Sequence, residues 1–434
     1  MKLPEKAPDW QTRLKKRAEE ILALQLDPNF QELQRKTDLN YYYWDKVRSQ
    51  PVIKKFNKDD VWASIRLRRA TNSRPTPVLD VKGLPFTYWL TDSLQKELHL
   101  IDLAAKGSLQ KFNPEEDKSA SMRFIVSSLM EEAITSSQIE GAVASIKEAK
   151  RMLFSKRAPK NKSELMIYNN YQTMKTLKEL CRQELTLELI LELHCLLTHG
   201  TLESIEEEGR FRTALDKVNV VTSYGEILFV PPEASEIKQR LNALIRFANE
   251  ANDQPFMHPV VKAIILHFWM AYIHPFTDGN GRMARTLFYW FLLKQDYWLF
   301  EYTSISKTIL KRTTRYANAY LYSEHDGNDL TYFIHFHLEV IKDAVEELVQ
   351  HVEQERKKAQ LLKLNLLQYP DLNMRQARIV QYLQTNPHAV LSIKMHQNLN
   401  GLAYQTARTD LLELENKGWL KRVKKGKTFQ FVVA

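Results

Sequence analysis

Two strongly apolar segments, separated by one short polar loop, constrain the fold more than any other feature of this 434-residue chain. The first reads HPVVKAIILHFWMAYI (258–273) and the second reads MARTLFYWFLLK (283–294). Each segment would place apolar side chains on nearly every face of a helix, and a helix of that kind must be buried. We therefore predict two central helices that hold the intervening loop on a rigid frame.

The rest of the chain is also typical of a mainly α-helical protein. Glycine is scarce, with 12 residues, and long stretches alternate apolar and charged residues at helical spacing. The sequence lacks an apolar run of about 18 residues, which a membrane helix needs, and its first residues lack the apolar core of a secretory signal. Cys181 and Cys195 lie in apolar helical sequence and are predicted to be buried free thiols. These features predict a cytoplasmic protein with no membrane partner.

The length of the chain favours more than one domain. We divide it into an N-terminal helical region (1–118), a central block (119–355), and a connector helix with a small terminal module (356–434). Within the central block, GRFRTALDKVNVVTSYGEILFVPP (209–232) is the one segment that reads as strand, because VNVV and EILFV flank the turn TSYG. A β-hairpin is predicted there.

The terminal module has the element order of a winged helix-turn-helix, an α+β fold. After residue 371 the pattern indicates a helix, a short strand, two helices joined by a turn, and two strands around KKGK (424–427). Ten Lys and Arg against four Asp and Glu place six of the ten net positive charges here. Nucleic-acid binding and protein docking both stay open. The candidate DNA contacts lie on the recognition helix 403–416 and on the wing: Gln405, Thr406, Arg408, Thr409, Lys421, Arg422, Lys424, Lys425 and Lys427.

The loop between the two apolar segments reads HPFTDGNGRMAR (274–285). Its glycines allow unusual backbone conformations and close approach of a ligand. The second helix is expected to begin near Arg282, so that its free N–H groups favour an anion, and Arg282 and Arg285 add cations suited to phosphate. Asp278 could bind Mg²⁺ together with phosphate oxygens, and His274 is a base near neutral pH. These groups indicate transfer of a phosphate-containing group from a nucleotide to a hydroxyl.

The complete pattern His-x-Phe-x-Asp-Gly-Asn-Gly-Arg-x-x-Arg resembles the signature of the Fic family, and the resemblance extends from about 119 to 339. It implies a helical Fic core and an adenylyltransferase that moves AMP from ATP to a Ser, Thr or Tyr hydroxyl of a protein. The hairpin would be the flap that holds the target by strand addition. The Doc branch, which phosphorylates its target, departs from the pattern at Gly-Asn-Gly, and this chain does not. The implied roles are general base for His274, Mg²⁺ ligand for Asp278, loop anchor for Phe276, α- and β-phosphate contacts for Gly279, Asn280, Gly281 and Arg282, and γ-phosphate contact for Arg285.

A second motif, TSSQIEGAVAS (135–145), resembles the inhibitory helix of Fic proteins, which carries Ser/Thr-x-x-x-Glu-Gly/Asn. Ser136, Glu140 and Gly141 fit this pattern, on a helix near 131–145. The resemblance implies that Glu140 pairs with Arg285 and so competes with the γ-phosphate. In some relatives the same glutamate positions a water that removes AMP from the target. The alternative is an exposed helix glutamate before a glycine cap.

Two other functions stay open. One is a DNA-binding transcriptional regulator whose Fic domain senses a nucleotide and has little activity, although a sensor would not need the base His274. The other keeps the enzyme but changes the donor to another nucleotide or to a phosphocholine compound. The resemblance also implies a homodimer.

Overall fold

The computed structural model describes residues 3–51, 55–105, 118–221, 225–250, 255–385, 390–425 and 428–434. Helices dominate this part of the chain, and its strands form three antiparallel sheets of two strands each. The predicted mainly α fold is therefore confirmed.

The N-terminal region is helical with one hairpin, and aromatic side chains fill its core. The ring of Tyr43 stacks on that of Tyr322 at 4.2 Å, and buried Arg66 lies 2.9 Å from Asp329 and 3.0 Å from Asp326. Aromatic packing and ion pairs thus join this region to helices that follow the motif. Its elements are α1 (Trp10–Lys16), α2 (Ala18–Ala23), α3 (Pro28–Asn40), α4 (Trp44–Val47), α5 (Lys58–Asn72), β1 (Arg74–Leu79), β2 (Pro85–Tyr88) and α6 (Asp92–Leu103).

The central block places the two apolar segments at its core, as predicted. They form α12 (Pro259–Ile273) and α13 (Asn280–Lys294), and nearly all of their side chains are buried. Proline suits the first position of α12 because an N–H group at this position has no acceptor within the helix, so proline, which lacks the N–H, loses no hydrogen bond. The other elements are α7 (Lys118–Ile139), α8 (Ile146–Ser155), α9 (Lys162–Leu180), α10 (Leu187–Thr198), β3 (Val220–Val221), β4 (Ile227–Phe229), α11 (Ile237–Asn249), α14 (Ile305–Lys311), α15 (Thr313–His325) and α16 (Thr331–Gln368).

The predicted hairpin is present ahead of α12, and its role as a flap stays a prediction. β3 pairs with β4 in antiparallel register, with Val220 opposite Phe229 and Val221 opposite Ile227. The paired strands are shorter than VNVV and EILFV, and residues 222–224 of the predicted turn lie outside the described residues.

One burial prediction was wrong. Cys181 is buried, but Cys195 is exposed. In α10 the buried positions Ile190, Leu193 and Leu197 follow one stripe at helical spacing, so Cys195 lies on the solvent side.

α16 runs for 38 residues, so a long helix is present in this part of the chain, and its role as a connector stays a prediction. Within the described residues, none of the helices combines the length and the apolarity that a membrane crossing requires.

By internal contacts the chain forms two compact units, Met1–Ser108 with Ser128–Val345, and Leu109–Ser127 with Glu346–Ala434. The division into three domains at 118 and 355 stays a prediction. The second unit ends with α17 (Met374–Thr385), α18 (Ile393–Asn400), α19 (Tyr404–Asn416), β5 (Leu420–Lys425) and β6 (Thr428–Val433). This is the element order expected for the terminal module, with the short strand reduced to a single bridge between Leu391 and Phe431.

One face of α19 packs against the core of the second unit through Ala407, Leu411 and Leu414. Of the four candidate DNA contacts on α19, Gln405, Arg408 and Thr409 are exposed and Thr406 is half-buried. On the predicted wing the side chains of Lys421, Arg422 and Lys424 are exposed, whereas those of Lys425 and Lys427 lie outside the described residues. The identification of this module as a winged helix stays a prediction.

Candidate active site

The loop between α12 and α13 is a tight turn with two residues in the left-handed backbone region. His274 ends α12 with φ 50°, and Gly279 precedes α13 with φ 83°. A Cβ atom at Gly279 would lie only 2.8 Å from Cγ2 of Thr198, so glycine is required there by space as well as by φ. Because Gly279 turns the chain so sharply, α13 begins at Asn280, two residues earlier than the predicted start at Arg282.

The side chain of Asn280 holds this loop in shape. Its Oδ1 accepts the N–H of Phe276 at 3.0 Å, and its Nδ2 donates to the carbonyl of Phe276 at 2.8 Å. Both polar atoms of the Asn280 side chain are therefore used within the loop. The group of Asn280 that can bind an anion is its backbone N–H. The first N–H groups of a helix have no acceptor within the helix.

Phe276 is buried and stacks on the ring of His194, with 3.6 Å between the ring centroids. Nδ1 of His194 accepts the N–H of Gly209 at 3.1 Å, so its Nε2 donates to the carbonyl of Asp278 at 3.0 Å. Burial lowers the pKa of His194 to about 4, which keeps the neutral form that both bonds need. The sequence reasoning assigned His194 no role, although a single histidine in the apolar helix LELILELHCLLT was a signal for a buried polar contact.

Arg212 was also missed. Its Nε donates to the carbonyl of His274 at 2.7 Å, its Nη2 donates to that of Pro232 at 2.5 Å, and its backbone N–H donates to that of Pro275 at 2.8 Å. The side chain therefore ties the end of α12 to the segment that follows the flap. Its only signal in the sequence was its position directly ahead of the hairpin.

The imidazole of His274 is half-buried and oriented by its own helix. Nδ1 lies 3.2 Å from the carbonyl oxygen of Ala271, so we assign the proton to Nδ1 and the free lone pair to Nε2. Burial lowers the pKa of His274 below its ordinary value. The ring is therefore a neutral base at pH 7.

Arg282 is buried in the first turn of α13. Its Nη1 donates to the carbonyl of Leu197 at 2.9 Å, and its Nη2 lies 3.8 Å from Oδ2 of Asp278. Among the described residues, Nε and Nη2 of Arg282 have no hydrogen-bond partner. Buried N–H groups of a cation are almost always satisfied, so these two indicate a site for an anion.

Asp278 is the acidic residue of the loop, and its side chain is 52% exposed. Its Oδ1 accepts the N–H of Gly279 at 2.5 Å. In the described part of the chain, no group of three or more His, Cys, Asp and Glu side chains is placed to hold a metal ion. One exposed carboxylate beside an anion site is the arrangement that Mg²⁺ uses when phosphate oxygens complete its coordination.

The second motif meets the first at Arg285. α7 ends at Ile139, and Glu140 lies in the turn that follows, ahead of Gly141. Oε1 of Glu140 accepts from Nη2 of Arg285 at 2.8 Å, while Nε of Arg285 donates to Oγ of Ser136 at 2.8 Å. Burial by itself would lower the pKa of Arg285, but the charge and the hydrogen bond of Glu140, together with Tyr316 and Glu132, outweigh burial and raise that pKa. Glu140 is thus an ion-pair partner in a turn rather than an exposed helix glutamate.

The carboxylate of Glu140 also lies against the first turn of α13. A Cβ atom at Gly281 would be 2.1 Å from Oε1 of Glu140. Gly281 is helical, so it is needed for this close approach and not for a left-handed φ, contrary to the sequence-based expectation. An anionic group therefore already lies at the helix N-terminus where a phosphate would bind.

Comparisons with known proteins agree with this geometry. Residues 184–292 match the model of the Fic/DOC family. The protein adenylyltransferase Fic of Nematostella vectensis is 41% identical over 58 residues, which are 13% of this chain and 13% of that protein. The protein of the same name from Drosophila ananassae is 34% identical over 116 residues, which are 27% of this chain and 21% of that protein. The chain thus spans about a fifth or less of the length of these curated relatives.

A solved structure extends the likeness to most of the chain. The crystal structure of a Fic family protein from Desulfovibrio desulfuricans G20 has a TM-score of 0.52 and 20% identity, and the match covers 78% of this chain and 96% of that chain. At this identity the likeness concerns the fold alone. From the matched residues, the complete motif and this fold, we conclude that the chain contains a domain of the Fic/DOC family.

Proposed function

We propose that the protein is an adenylyltransferase that moves AMP from ATP to a Ser, Thr or Tyr hydroxyl of a target protein. The observation that carries this proposal is the anion site at the start of α13. There, buried Arg282 has two N–H groups without a hydrogen-bond partner among the described residues, and the proposed base His274 lies at the end of the preceding helix. An anion site beside a neutral base suits attack of a hydroxyl on a phosphate.

The residues of the loop divide the work. Nε2 of His274 takes the proton of the target hydroxyl. The hydroxyl oxygen attacks the α-phosphorus of ATP, and pyrophosphate leaves. Arg282 and the backbone N–H groups of Asn280 and Gly281 hold the α- and β-phosphates, and Gly279 makes the turn that brings them together. Arg285 holds the γ-phosphate once it is released from Glu140.

Mg²⁺ fits the carboxylate of Asp278, which is exposed and adjacent to the anion site. When bound there, Mg²⁺ would neutralise negative charge on the phosphate oxygens.

The flap supports binding of a protein target. Val221 and Ile227 are about half exposed, at 51% and 54%, on a hairpin of two strands. Such a hairpin has unpaired backbone groups along its outer edges, and an extended peptide can add there as a further strand. We therefore assign the target segment to this edge.

The transferred group can be identified by the position of the label in ATP. We expect the Glu140→Gly variant to increase the label that enters proteins of a cell lysate from α-³²P-ATP, and not from γ-³²P-ATP, relative to the same lysate without the variant. Label from the γ position would show phosphorylation instead. If other labelled nucleotides or a phosphocholine donor label more efficiently than ATP, the donor assignment is wrong.

The pH profile gives a second test of His274. The ordinary pKa of a histidine is 6.5. Because burial lowers the pKa of His274, its imidazole stays neutral below that pH. The transfer rate of the Glu140→Gly variant should therefore stay level down to pH 6.5 and fall only below it. The measurement is kcat/KM for transfer between about pH 5 and pH 8, with circular dichroism to confirm that the fold persists. A midpoint at or above pH 6.5 would contradict the assigned base.

We also propose that Glu140 restrains the forward reaction and is the base that removes AMP from the target. Its 2.8 Å contact with Arg285 supports the first role. Its position beside the α13 N-terminus supports the second role, because a carboxylate there would orient a water toward a bound phosphate. The assembly we propose is a cytoplasmic homodimer, and light scattering would test the dimer.

DNA binding by the terminal module is a second proposed activity, motivated by the exposed positive side chains beside α19. The full-length protein should bind duplex DNA with an affinity that falls steeply with salt, because each phosphate contact releases counterions. Changing Lys421 and Lys424 to Glu should reduce the salt slope by about 2. The matched control is the same change at Lys147 and Lys175, exposed lysines of the first unit. Absence of binding at low salt would favour protein docking.

A further inference from the structure

One buried carboxylate near the site has no role in the proposed reaction. Glu132 of α7 is 2% exposed. It accepts hydrogen bonds from the hydroxyl of Tyr289 at 2.9 Å, from Oγ of Ser304 at 2.9 Å, and from both the N–H (3.0 Å) and the hydroxyl of Ser306. Within the described residues its hydrogen-bond donors are these four neutral groups. A buried charge is tolerated only with such complete hydrogen bonding.

Glu132 belongs to a series of contacts between α7 and α13. The contacts follow one another at intervals of four residues along α7 and into the turn after it, and their partners follow at the same interval along α13 in the opposite direction. The series consists of Glu132 with Tyr289, Ser136 with Arg285, and Glu140 with Arg285 and Gly281.

The two ends of this series differ in exposure and in the number of partners. Glu132 and Tyr289 are buried, whereas the side chain of Glu140 is 25% exposed. Glu132 also bonds to the segment 304–306, so it joins α7 to two separate parts of the core. The buried end of the series, at Glu132, therefore holds α7 in place. The position of Glu140, at the outer end, depends on it.

We propose that Glu132 is a positioning residue for the inhibitory turn. It fixes the position of α7 along α13 and so places the carboxylate of Glu140 against Arg285 and Gly281. The inference rests on the proposed function, because the inhibited reaction is the proposed transfer of AMP. When the charge-assisted bonds of Glu132 are weakened, α7 can shift, and a hydrogen bond of 2.8 Å at its outer end does not survive a shift of 1 Å. The phosphate-binding groups stay in place because they belong to α13.

The test uses Glu132→Gln, which keeps the size of the side chain and removes its charge, and Ser306→Ala, which removes one donor from the other side. Both full-length variants should auto-label with α-³²P-ATP more than wild type by about 5-fold, and less than Glu140→Gly. In the Glu140→Gly background, neither change should add activity. The matched control is Glu131→Gln, a half-buried neighbour that contacts Lys307 at 3.3 Å, and its activity should equal that of wild type.

A second readout is ATP affinity, measured by calorimetry in the His274→Ala background, where transfer does not interfere. Glu132→Gln should tighten ATP binding toward the value of Glu140→Gly. The proposal fails if ATP affinity is unchanged, or if Glu132→Gln lowers activity equally with and without Glu140, as a purely structural residue would. If no variant labels protein, the proposed function fails, and Glu132 is still judged by ATP affinity.

Discussion

Replacing His274 with alanine is expected to lower AMP transfer by about 10²- to 10⁴-fold, the usual contribution of a positioned general base. ATP binding should change little, because the proposed phosphate contacts come from Arg282, Arg285 and the α13 N-terminus rather than from the imidazole. The change should also be tolerated by the fold, since His274 is half-buried and the hydrogen bond from Arg212 is made to its backbone carbonyl. The transfer rate with labelled ATP and the ATP affinity from calorimetry check the two halves of this expectation.

The matched control is His99→Ala, which removes an exposed histidine of α6. It should leave transfer and ATP affinity unchanged. Equal labelling by the His274→Ala variant and by wild type would show that another group accepts the proton. A large loss of ATP affinity in His274→Ala would show that the imidazole contributes to nucleotide binding.

Replacing Glu140 with glycine is expected to raise AMP transfer by about 5- to 150-fold, the range of coupling between two sites that compete. The physical reason is that the carboxylate of Glu140 forms an ion pair with the guanidinium of Arg285 and also fills the space in front of Gly281. Its removal frees a buried cation for the γ-phosphate. Auto-labelling of both proteins with α-³²P-ATP measures the change.

Arg285→Ala provides the complementary variant. It should lose forward activity even in the Glu140→Gly background, because the γ-phosphate then has no anchor. Glu140→Gly should also be unable to remove AMP from a modified target, since its proposed base is gone. If Glu140→Gly is no more active than wild type, the ion pair with Arg285 is structural and the inhibition lies elsewhere.

Several features could be predicted from the sequence because they depend on residues that are neighbours in the chain. The apolar character of 258–273 and 283–294 required two buried helices, and the two segments are α12 and α13. The hairpin before them was marked by two apolar runs around a turn, and the order of elements after residue 371 followed from periodicity. The contact between Glu140 and Arg285 came instead from the family resemblance, since nothing local joins residues 145 positions apart.

Local pattern was insufficient where the backbone depends on what packs behind it. The predicted start of α13 was two residues late, because the helix begins directly after a sharp turn at Gly279. This turn packs closely against Thr198, which lies on another helix. Cys195 was expected to be buried because its segment is apolar, but only the packing of α10 decides which stripe of that helix faces the core.

The remaining features of the site were decided by tertiary structure alone. Arg212 bonds to His274 across 62 positions, His194 bonds to Asp278 across 84, and Glu132 bonds to Ser306 across 174. The proposed base, the two arginines and the acidic loop residue all lie within twelve consecutive residues, 274–285. The sequence by itself determined these chemical groups. The side chains that orient these groups come from other helices, and a hydrogen bond depends on position to within a few tenths of an ångström, which only the packing of the whole core sets.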